Sequence, residues 1–588
     1  MSIRIDTIRI SGFRGIENLE LFLPRVTVLL GQNNSGKTSV IKAMQLALGD
    51  YSRYLSDEDF YISNDEIRKE NITVDLRIVP VDSGTRSTEF PEEWQQEFGD
   101  KIQAEADGRQ FVAIRTTAKP DRVKGGYCVD RFHLDFWPEK EQWESSRVNS
   151  KNKLGKRLDS IPFISIDAQR DIHNELKEKS SFIGQVLSSV EYETRDVEIL
   201  ERMVADINKE AIEKSEPLKQ LKNHLDNLNQ SFSGSGKTEL TPFPKKIRDL
   251  SKRFSVHFGA SEKNSFSMEY HGMGTRSWAS MLTVKAFIEL LAKNHRMEAE
   301  PFFPIIAAEE PEAHLHPNAQ RTLFEQLEST TGQTIISTHS PYLAGMSKLI
   351  NLRGLVSTSN TVKSAQLIEG LDPEDINILQ REIMRFRGEL LFSKAIILFE
   401  GVTEEQLVPA MFQAFFTKSS FSLGINCLSV SGKNYPPFIK MALSFGIPVC
   451  VMSDNDGNTR AEIESQVRKI KENTTLTVTH DNFYLSFLAE GNDIEAELLD
   501  GLELREEIVE ALVKTETRGN DNVHHVSAKT REINELDVDK LVQRMRSSKA
   551  SYAGFLADVI SRNPNNKSVE ELVPGALIDI FNKLQEWE

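Results

Sequence analysis

Two groups of residues in this chain have the types and spacing that phosphate chemistry needs. The first is Gly31–Thr38, whose letters GQNNSGKT fit the pattern G-x-x-x-x-G-K-[ST]. In such a loop the glycines let backbone N–H groups turn towards phosphates, Lys37 neutralises the terminal phosphates, and the Thr38 hydroxyl ligates Mg²⁺. The sequence therefore predicts a nucleotide site with the contact residues Gly31, Asn34, Gly36, Lys37 and Thr38.

The second group is a set of acids further along the chain. Glu400 and Glu404 follow an apolar run, and Asp454 and Asp456 follow a later one. If strands and helices alternate here, these carboxylates meet at one edge of a parallel sheet. Converging acids repel one another unless a cation is present, so a divalent metal is the expected occupant. Taken alone, each motif is more often an acidic turn that caps a helix, but their order favours a metal site.

A third set of polar residues belongs with the nucleotide loop. The apolar run Phe303–Ala308 ends in the paired carboxylates Glu309 and Glu310, and the run Thr334–Thr338 ends at His339. Acids at the edge of a sheet can reach Mg²⁺ and polarise water. A lone histidine is usually structural. One at a strand end, after a phosphate loop and an acid pair, is a candidate for sensing the terminal phosphate.

Apolar periodicity predicts the elements that must position these residues. Val26–Leu30 is predicted as a buried strand and Ser39–Leu48 as a helix, so the glycine loop has the flanks that a nucleotide-binding loop requires. The acids lie in a second alternation, which argues for a parallel sheet. Its predicted elements are strand Ala395–Phe399, helix Glu404–Phe416, strand Ile425–Val430, helix Pro437–Phe445 and strand Pro448–Met452.

The segment between the two parts of the nucleotide-binding region is helical and highly charged. Its leucines at 218, 221, 225 and 228 have the spacing of a narrow helix-packing seam. A dimerisation arm and a helix packed on its own domain both fit this spacing. The run Ser231–Thr238 imitates a phosphate loop, but Ser231 replaces the first glycine and no apolar strand precedes it. A flexible linker is the better interpretation.

The composition bounds the class of protein. A chain of 588 residues is expected to form two or three domains, and 39% hydrophobic with 27% charged residues is ordinary for a soluble protein. No apolar run is long enough to cross a bilayer and the start lacks a signal peptide, so a cytoplasmic protein without membrane contact is expected. The net charge of −17 argues against a broad DNA-binding surface. Any contact with DNA must be local or bridged by metal.

The nucleotide-binding segments resemble the ATP-binding-cassette (ABC) ATPases of the SMC, RecF and OLD families, and the run EPEAHLHP after Glu309 is especially specific to that group. The resemblance implies bound ATP with Mg²⁺, a Q-loop glutamine at Gln169, and a signature segment at Gly272–Ser277 that completes a partner's nucleotide site. Many such ATPases have Asp where this chain has Glu309. The longer side chain changes the reach to Mg²⁺, so we expect slow or tightly regulated hydrolysis, with Glu310 and His339 as its catalytic residues.

The acidic segments resemble a Toprim domain, which has a Glu on its first strand and an Asp-x-Asp motif on a later one. This resemblance implies Mg²⁺ or Mn²⁺ held by Glu404, Asp454 and Asp456, with Glu400 as a ligand or general base. The run Val430–Asn434 matches the glycine segment of OLD-type Toprim domains.

Three more residues resemble OLD-type features. Asp493 and Glu495 resemble the additional ligands that give OLD nucleases a second metal. Lys549 resembles their C-terminal lysine, which would stabilise charge developing at the phosphate.

Together the two resemblances imply an α/β chain: an N-terminal ABC-type ATPase with a helical dimerisation insert, followed by a Rossmann-like Toprim domain with C-terminal helices. The expected segments are 1–171 and 241–355 for the ATPase, 172–240 for the insert and 390–588 for the Toprim domain. The implied function is an ATP-gated, metal-dependent DNA endonuclease that serves anti-phage defence. A homodimer or higher assembly is expected, with a helicase (as in Gabija systems) or a retron as a possible partner.

Two alternatives stay open. A DNA-end or repair clamp of the RecF or SMC kind would bind DNA with ATP and keep the Toprim half as a scaffold. The retained acids at 400, 404, 454 and 456 argue against it, because a retired site has no physical reason to keep mutually repelling carboxylates. A Toprim topoisomerase or primase is disfavoured, because the chain has no evident tyrosine nucleophile module or zinc ribbon.

Overall fold

The computed structural model covers most of the chain. The residues it describes are 2–63, 65–121, 123, 125–155, 157–167, 194–222, 257–259, 265–267, 270–358, 361–367, 371–381, 388–472, 478–518 and 522–587. The predicted Q-loop residue Gln169, the imitation loop Ser231–Thr238 and the leucines at 225 and 228 lie outside these ranges. Lys549 lies within a described helix, but its side chain is outside the description.

The strands are β1 (Ser2–Phe13), β2 (Ile16–Phe22), β3 (Val26–Leu30), β4 (Ile72–Asp82), β5 (Thr85–Arg86), β6 (Gln103–Ala104), β7 (Gln110–Pro120), β8 (Tyr127–His133), β9 (Phe163–Ile166), β10 (His257–Gly259), β11 (Ser265–Ser267), β12 (Ile305–Glu309), β13 (Gln333–Ser337), β14 (Leu352–Thr358), β15 (Thr361–Ala365), β16 (Ala395–Phe399), β17 (Ile425–Ser429), β18 (Val449–Ser453) and β19 (Phe483–Phe487).

The α-helices are α1 (Lys37–Leu48), α2 (Glu92–Phe98), α3 (Thr194–Lys214), α4 (Met273–Glu298), α5 (Pro317–Glu328), α6 (Pro341–Met346), α7 (Pro373–Leu379), α8 (Val402–Phe416), α9 (Pro436–Ser444), α10 (Thr459–Lys471), α11 (Ile494–Glu497), α12 (Arg505–Thr517), α13 (Val523–Asn534), α14 (Val538–Arg562), α15 (Val569–Leu572) and α16 (Gly575–Trp587).

The nucleotide-binding part is built from two sheets with α1 between them. One sheet is antiparallel and has the strand order β2-β1-β4-β7-β6. The other has the order β15-β14-β3-β13-β12-β9 and is parallel except for the β14–β15 hairpin. Strand β3 is buried at every position, as expected for a parallel strand that is covered on both faces. The buried residues of α1 join those of β1 and β4 in one core.

The second part of the chain contains a parallel sheet with the order β17-β16-β18-β19. On one face it packs against α8 and the C-terminal helices in a core that includes Phe412, Leu512 and Phe581. On the other face its core continues without a break into the nucleotide-binding part, where Phe445 belongs to the same cluster as Leu352. The two parts are therefore joined by packed apolar side chains.

The predicted strands and helices around both sets of polar residues lie within a residue or two of their observed bounds. The sequence predicts that this first region ends at residue 355. In the structure, strands β14 and β15 extend the sheet of β3 to Ala365, because β14 pairs with β3 and β15 folds back on β14. The described residues include no helix long and apolar enough to span a membrane. The three cysteines carry free thiols.

Candidate active site

The glycine loop joins β3 directly to α1 and has the backbone of a phosphate-binding turn. Gly31 and Gly36 have φ values of 152° and 94°, which side-chain-bearing residues rarely adopt. A Cβ atom on Gly31 would also lie 2.4 Å from the carbonyl oxygen of Leu355. No side chain caps the start of α1 and its first turn holds no acid, so its N–H groups are free for an anion.

Lys37 is buried at the base of this loop. Its Nζ donates to the carbonyl oxygens of Gly31 at 2.9 Å and Gln32 at 2.8 Å. Burial lowers the pKa of Lys37 to about 8, against the opposing charges of Glu310 and Glu312. A bound phosphate would raise this pKa again, because a nearby negative charge favours the ammonium form of Lys37. The loop opens on a cavity of about 920 Å³ that both Glu310 and His339 line.

The paired register of β12 and β13 brings the predicted acids and histidine together. Glu309 lies opposite Ser337, so the residues that follow each strand meet beyond the sheet edge. The Oε1 atom of Glu310 is 3.5 Å from Nε2 of His339. Glu310 has a φ of 42°, a left-handed backbone that turns its side chain away from the strand direction. Burial, and then the charge of Lys37, lowers the pKa of His339.

Glu309 and Thr38, the predicted Mg²⁺ contacts, also lie together. Burial raises the pKa of Glu309, whereas Lys42 and a hydrogen bond from Thr38 lower it. Lys42 bridges Glu309 and Asp167 with contacts of 3.1 Å to each. The sequence did not indicate Lys42, since a lysine in the second turn of a helix has no motif of its own.

Glu312 is a further residue that the sequence did not single out. One of its carboxylate oxygens accepts from the Thr338 hydroxyl at 2.6 Å and from the backbone N–H groups of His339 at 3.0 Å and Ser340 at 3.2 Å. It therefore fixes the loop that carries His339. The predicted signature segment Gly272–Ser277 lies against the same region, because a Cβ on Gly274 would stand 2.4 Å from the carbonyl oxygen of His314.

The acids of the second part lie along one edge of the Toprim-like sheet. Glu400 follows β16 and Asp454 follows β18, and these strands are parallel neighbours. The hydroxyl of Ser453 donates to Oε1 of Glu400 at 2.8 Å. Glu404 lies in the first turn of α8, is only 3% exposed, and accepts from the backbone N–H of Gly401 at 3.3 Å. The strand–helix order thus places three predicted acids together.

Their pKa values show how close these carboxylates are. Burial, then the charges of Glu404 and Glu400, raises the pKa of Asp454 to about 8. Burial, then the charges of Glu495 and Glu400, raises the pKa of Glu404 to about 7. Burial likewise raises the pKa of Glu400, although Ser453 opposes the shift. Each of these groups is disfavoured as an anion by its surroundings.

The loops after β18 and β19 are tied to each other. The backbone N–H of Asn455 donates to the carbonyl oxygen of Asn492 at 2.9 Å. Asp456 is exposed and accepts from the Thr459 hydroxyl at 2.6 Å. Glu495 is 4% exposed and accepts from the Thr403 hydroxyl at 3.1 Å. The loop that carries Asp493 and Glu495 therefore lies beside the acids that follow β16 and β18.

Asp493 is engaged on both of its oxygens. One accepts from the backbone N–H of Ala496 at 3.0 Å, at the start of α11, and the other forms an ion pair of 2.7 Å with Nε of Arg546. Arg546 was not indicated by sequence. The only pointer to it is its position three residues before Lys549 in α14.

The donor set fits a divalent cation by its chemistry. It consists of carboxylate oxygens, which Mg²⁺ and Mn²⁺ prefer. Burial, and then the charge of neighbouring acids, raises the pKa values of Glu404 and Asp454, and a cation would stabilise both as anions. Within the described ranges no three His, Cys, Asp or Glu side chains already stand in metal-binding geometry. The carboxylates lie near one another, but in the described residues they do not form a complete metal-coordination sphere.

Two proteins of known name are similar to most of this chain. One is the OLD nuclease of Thermus scotoductus, 25% identical over 515 residues that make up 80% of this chain and 86% of that protein. The other is the Old nuclease of Escherichia phage P2, 24% identical over 485 residues, 78% of each chain.

Two family models match in the order that the sequence implied. Residues 3–381 match "Protein of unknown function (DUF2813)", and residues 391–456 match "Overcoming lysogenization defect protein-like, TOPRIM domain". The first match spans more than half of the chain. The chain belongs to this family and, with its Toprim domain, to the OLD family. The family predicted from the sequence is confirmed.

The α/β architecture of this OLD family protein is confirmed as well: an N-terminal α/β part that carries the glycine loop is followed by a parallel Toprim sheet with C-terminal helices. Glycine loops of this kind and Toprim folds go with nucleotide and divalent-metal use in general. Among solved structures, the C-terminal region of the Xanthomonas campestris pv. campestris OLD protein aligns with 34% of this chain and 95% of its own. The identity is 22% and the TM-score 0.26.

Proposed function

We propose that this OLD family protein is a nuclease that cuts DNA at the Toprim acids and is gated by ATP at the glycine loop. The observation that carries the proposal is the gathering of Glu400, Glu404 and Asp454 at one sheet edge, with raised pKa values on all three. A fold gains no stability from burying such acids together, so a function that needs them is the better explanation. The proposal agrees with the names of two similar proteins, both of which are called nucleases.

The residues of the cutting centre have distinct tasks. Glu404, Asp454 and Asp456 would hold the divalent ion. When bound, such an ion supplies a Lewis acid for the phosphate and lowers the pKa of a water molecule. Glu400, oriented by the Ser453 hydroxyl, accepts the proton of the attacking water. Lys549 remains a proposed source of positive charge for the leaving group. Glu495 remains a candidate ligand for a second ion, a role that the sequence resemblance implied for Asp493 as well.

The proposed gate has a physical route between the two sites. Gly31 lies against the backbone of Leu355, and a Cβ on Gly36 would stand 3.0 Å from Val362, so the glycine loop rests on the β14–β15 hairpin. On its other side the hairpin meets the Toprim domain, where a Cβ on Gly354 would stand 3.2 Å from Phe445. A nucleotide that shifts the loop would therefore press on the hairpin and, through it, on the sheet that carries Asp454.

A cavity of about 790 Å³ lies where the loop, the hairpin and the Toprim domain meet. Its lining includes Asn33 of the loop, Val356 of β14, Lys394 before β16 and Trp587 at the end of α16. Space at this junction would let the two parts move relative to each other without disrupting either core. This supports a gate at the junction rather than a rigid connection.

We further propose that the protein acts as a homodimer or a higher assembly. Helix α3 lies in the predicted dimerisation insert and exposes Ile199, Met203 and Ile207, which are 42%, 56% and 52% exposed. These residues are spaced four apart and share one face of the helix. A second copy of the same helix is the proposed occupant of this face.

A role in anti-phage defence, with a helicase or retron partner, is proposed from the family resemblance alone.

The proposed activity is tested with supercoiled plasmid and linear duplex DNA, incubated with Mg²⁺ or Mn²⁺ and with or without ATP. The expected result is nicking or cutting by the wild-type chain and none by Glu400→Ala. Glu405→Ala, one residue after Glu404 in α8, serves as the matched control and should keep activity. Nucleotide-dependent DNA binding without any cleavage would instead support the clamp alternative. Wild-type cleavage by Glu400→Ala would remove that residue from the site.

A further inference from the structure

Arg546 occupies a distinctive place at the edge of the acid cluster. It lies in α14, and its side chain is 46% exposed. Its Nε donates to Asp493, and the ion pair with Asp493 followed by the charges of Glu495 and Asp456 raises the pKa of Arg546. A half-exposed guanidinium therefore faces the same acids that form the proposed cutting centre.

The remaining donors of Arg546 point to a ligand beyond the protein. Its hydrogen bond to Asp493 uses Nε alone, and among the described residues no further hydrogen bond of its guanidinium is found. The N–H groups of its two terminal nitrogens form a planar fork, which matches the oxygens of a phosphate. They are also accessible, since nearly half of the side chain is exposed.

Asp493 has the geometry of a residue that holds another in place. Both of its oxygens are occupied, one by the Ala496 N–H and the other by Arg546.

The charge of the whole chain makes such a cation necessary. A protein with a net charge of −17 repels DNA, and the cluster of acids repels it locally. Positive groups at the mouth of the cluster are therefore the places where a DNA strand can be held. Lys433 is bound to Thr459 and pairs with Glu462, and Arg460 pairs with Glu464. Lys433 also lies near the acids, since its charge opposes the rise that burial causes in the pKa of Glu400, but its ammonium group is engaged by Thr459. Arg546 differs in that its terminal nitrogens have no hydrogen-bond partner in the part of the chain that the structure describes.

We propose that Arg546 binds a backbone phosphate of the DNA strand at the mouth of the acid cluster, and that Asp493 positions Arg546 for this contact instead of ligating a metal ion. The inference rests on the proposed nuclease function, whose site it deepens. It assigns Asp493 a role different from the one that family resemblance implies. In this proposal Arg546 contacts the DNA through its two terminal nitrogens. Asp493 does not contact the DNA and acts only by holding Arg546 in place.

The test measures DNA binding separately from cleavage. Binding of a fluorescein-labelled duplex is followed by anisotropy at several salt concentrations, with Ca²⁺ replacing Mn²⁺. The loss of one phosphate contact in Arg546→Ala should reduce the slope of log affinity against log salt by about 0.9. In cleavage assays KM should rise about tenfold with kcat little changed, and Arg546→Lys should recover part of the loss.

Arg544→Ala is the matched control. Arg544 lies two residues earlier in α14 but pairs with Glu516 through contacts of 2.6 and 2.8 Å. Its loss should lower the melting temperature without changing the salt slope or KM. Circular dichroism of both variants confirms that α14 remains folded.

Asp493→Asn separates the two roles of the aspartate. Asparagine retains the capping oxygen, so the start of α11 should stay intact. Mn²⁺ binding, measured by calorimetry, should be unchanged in this variant while DNA affinity falls. Loss of Mn²⁺ binding would return Asp493 to the metal ligands and overturn its positioning role.

An unchanged salt slope and an unchanged KM in Arg546→Ala, with an active wild type, would overturn the role of Arg546. A wild type that never cuts DNA would instead reject the nuclease function on which both depend.

Discussion

At the scale of single residues, the proposed cutting centre depends on contacts between distant parts of the chain. The acids themselves could be found from sequence, because Glu400, Glu404, Asp454 and Asp456 stand in recognisable spacing. The residues that orient them could not. Ser453 is 53 residues from Glu400, and Arg546 is 53 residues from Asp493, so only the folded sheet and helices bring each pair together.

The Ser453 hydroxyl is the clearest case in which an orienting contact can be tested. It is 1% exposed and donates to Glu400 at 2.8 Å. Ser453→Ala removes a hydrogen bond to a charged group, so we expect kcat for DNA cleavage to fall about tenfold while KM stays constant. Ser486→Ala, a buried serine of the neighbouring strand β19 that is not placed against Glu400, should leave both unchanged. A wild-type kcat in Ser453→Ala would show that Glu400 needs no such support.

At the scale of elements, the strands and helices that carry motifs were predictable because apolar runs and turn residues bound them. The β14–β15 hairpin was not, because the segment from about 355 lacks a clear apolar period. Its role follows from packing: β14 pairs with β3 and so extends the sheet that carries the glycine loop, and Gly354 lets Phe445 of the Toprim domain approach. The contact between this hairpin and the Toprim domain therefore could not be predicted from the sequence.

The hairpin is expected to transmit the nucleotide state. In Gly354→Ala the new Cβ would stand 3.2 Å from the ring of Phe445 and 3.3 Å from Ala365, so these neighbours must give way by a few tenths of an ångström. ATP should still bind, but the ratio of cleavage rates with and without ATP should move towards one. Gly155→Ala, which meets nothing within 4 Å, is the control. An unchanged ATP effect, with nucleotide binding confirmed by fluorescence titration, would rule out transmission through this contact.

Helix α3 is the element that supports the proposed assembly. Met203 is the middle residue of its exposed apolar face and is 56% exposed. Met203→Glu places a charge in the proposed contact and should shift the protein from dimer to monomer in size-exclusion chromatography with light scattering. Lys209→Glu, an exposed position off that face, reverses a charge and should leave the assembly intact. A wild type that is monomeric at every concentration would contradict the assembly itself.

At the scale of the whole molecule, the acid cluster has a stability consequence. Raised pKa values mean that the folded state disfavours the anionic forms of Glu404 and Asp454 at neutral pH. Removing one charge should therefore stabilise the metal-free protein, as active-site substitutions often do. We expect Asp454→Asn to raise the melting temperature in EDTA by about 1–2 °C.

In the presence of metal the wild type should have a higher melting temperature than Asp454→Asn. Mn²⁺ should bind the folded state of the wild type and raise its melting temperature, and Asp454→Asn should lose most of that rise. Differential scanning calorimetry with EDTA and then with excess Mn²⁺ measures both effects on one sample. Equal Mn²⁺ stabilisation of wild type and Asp454→Asn would mean that the ion binds elsewhere.

The division of labour between the two sites is tested most directly by plasmid nicking with Lys37→Ala and Asp454→Ala, each assayed with Mn²⁺ and with or without ATP. We expect no nicking by Asp454→Ala under either condition. Lys37→Ala should still nick, at a rate that ATP no longer changes. Nicking by Asp454→Ala at the wild-type rate, or an intact ATP effect in Lys37→Ala, would contradict the account of a Toprim cutting centre controlled from the glycine loop.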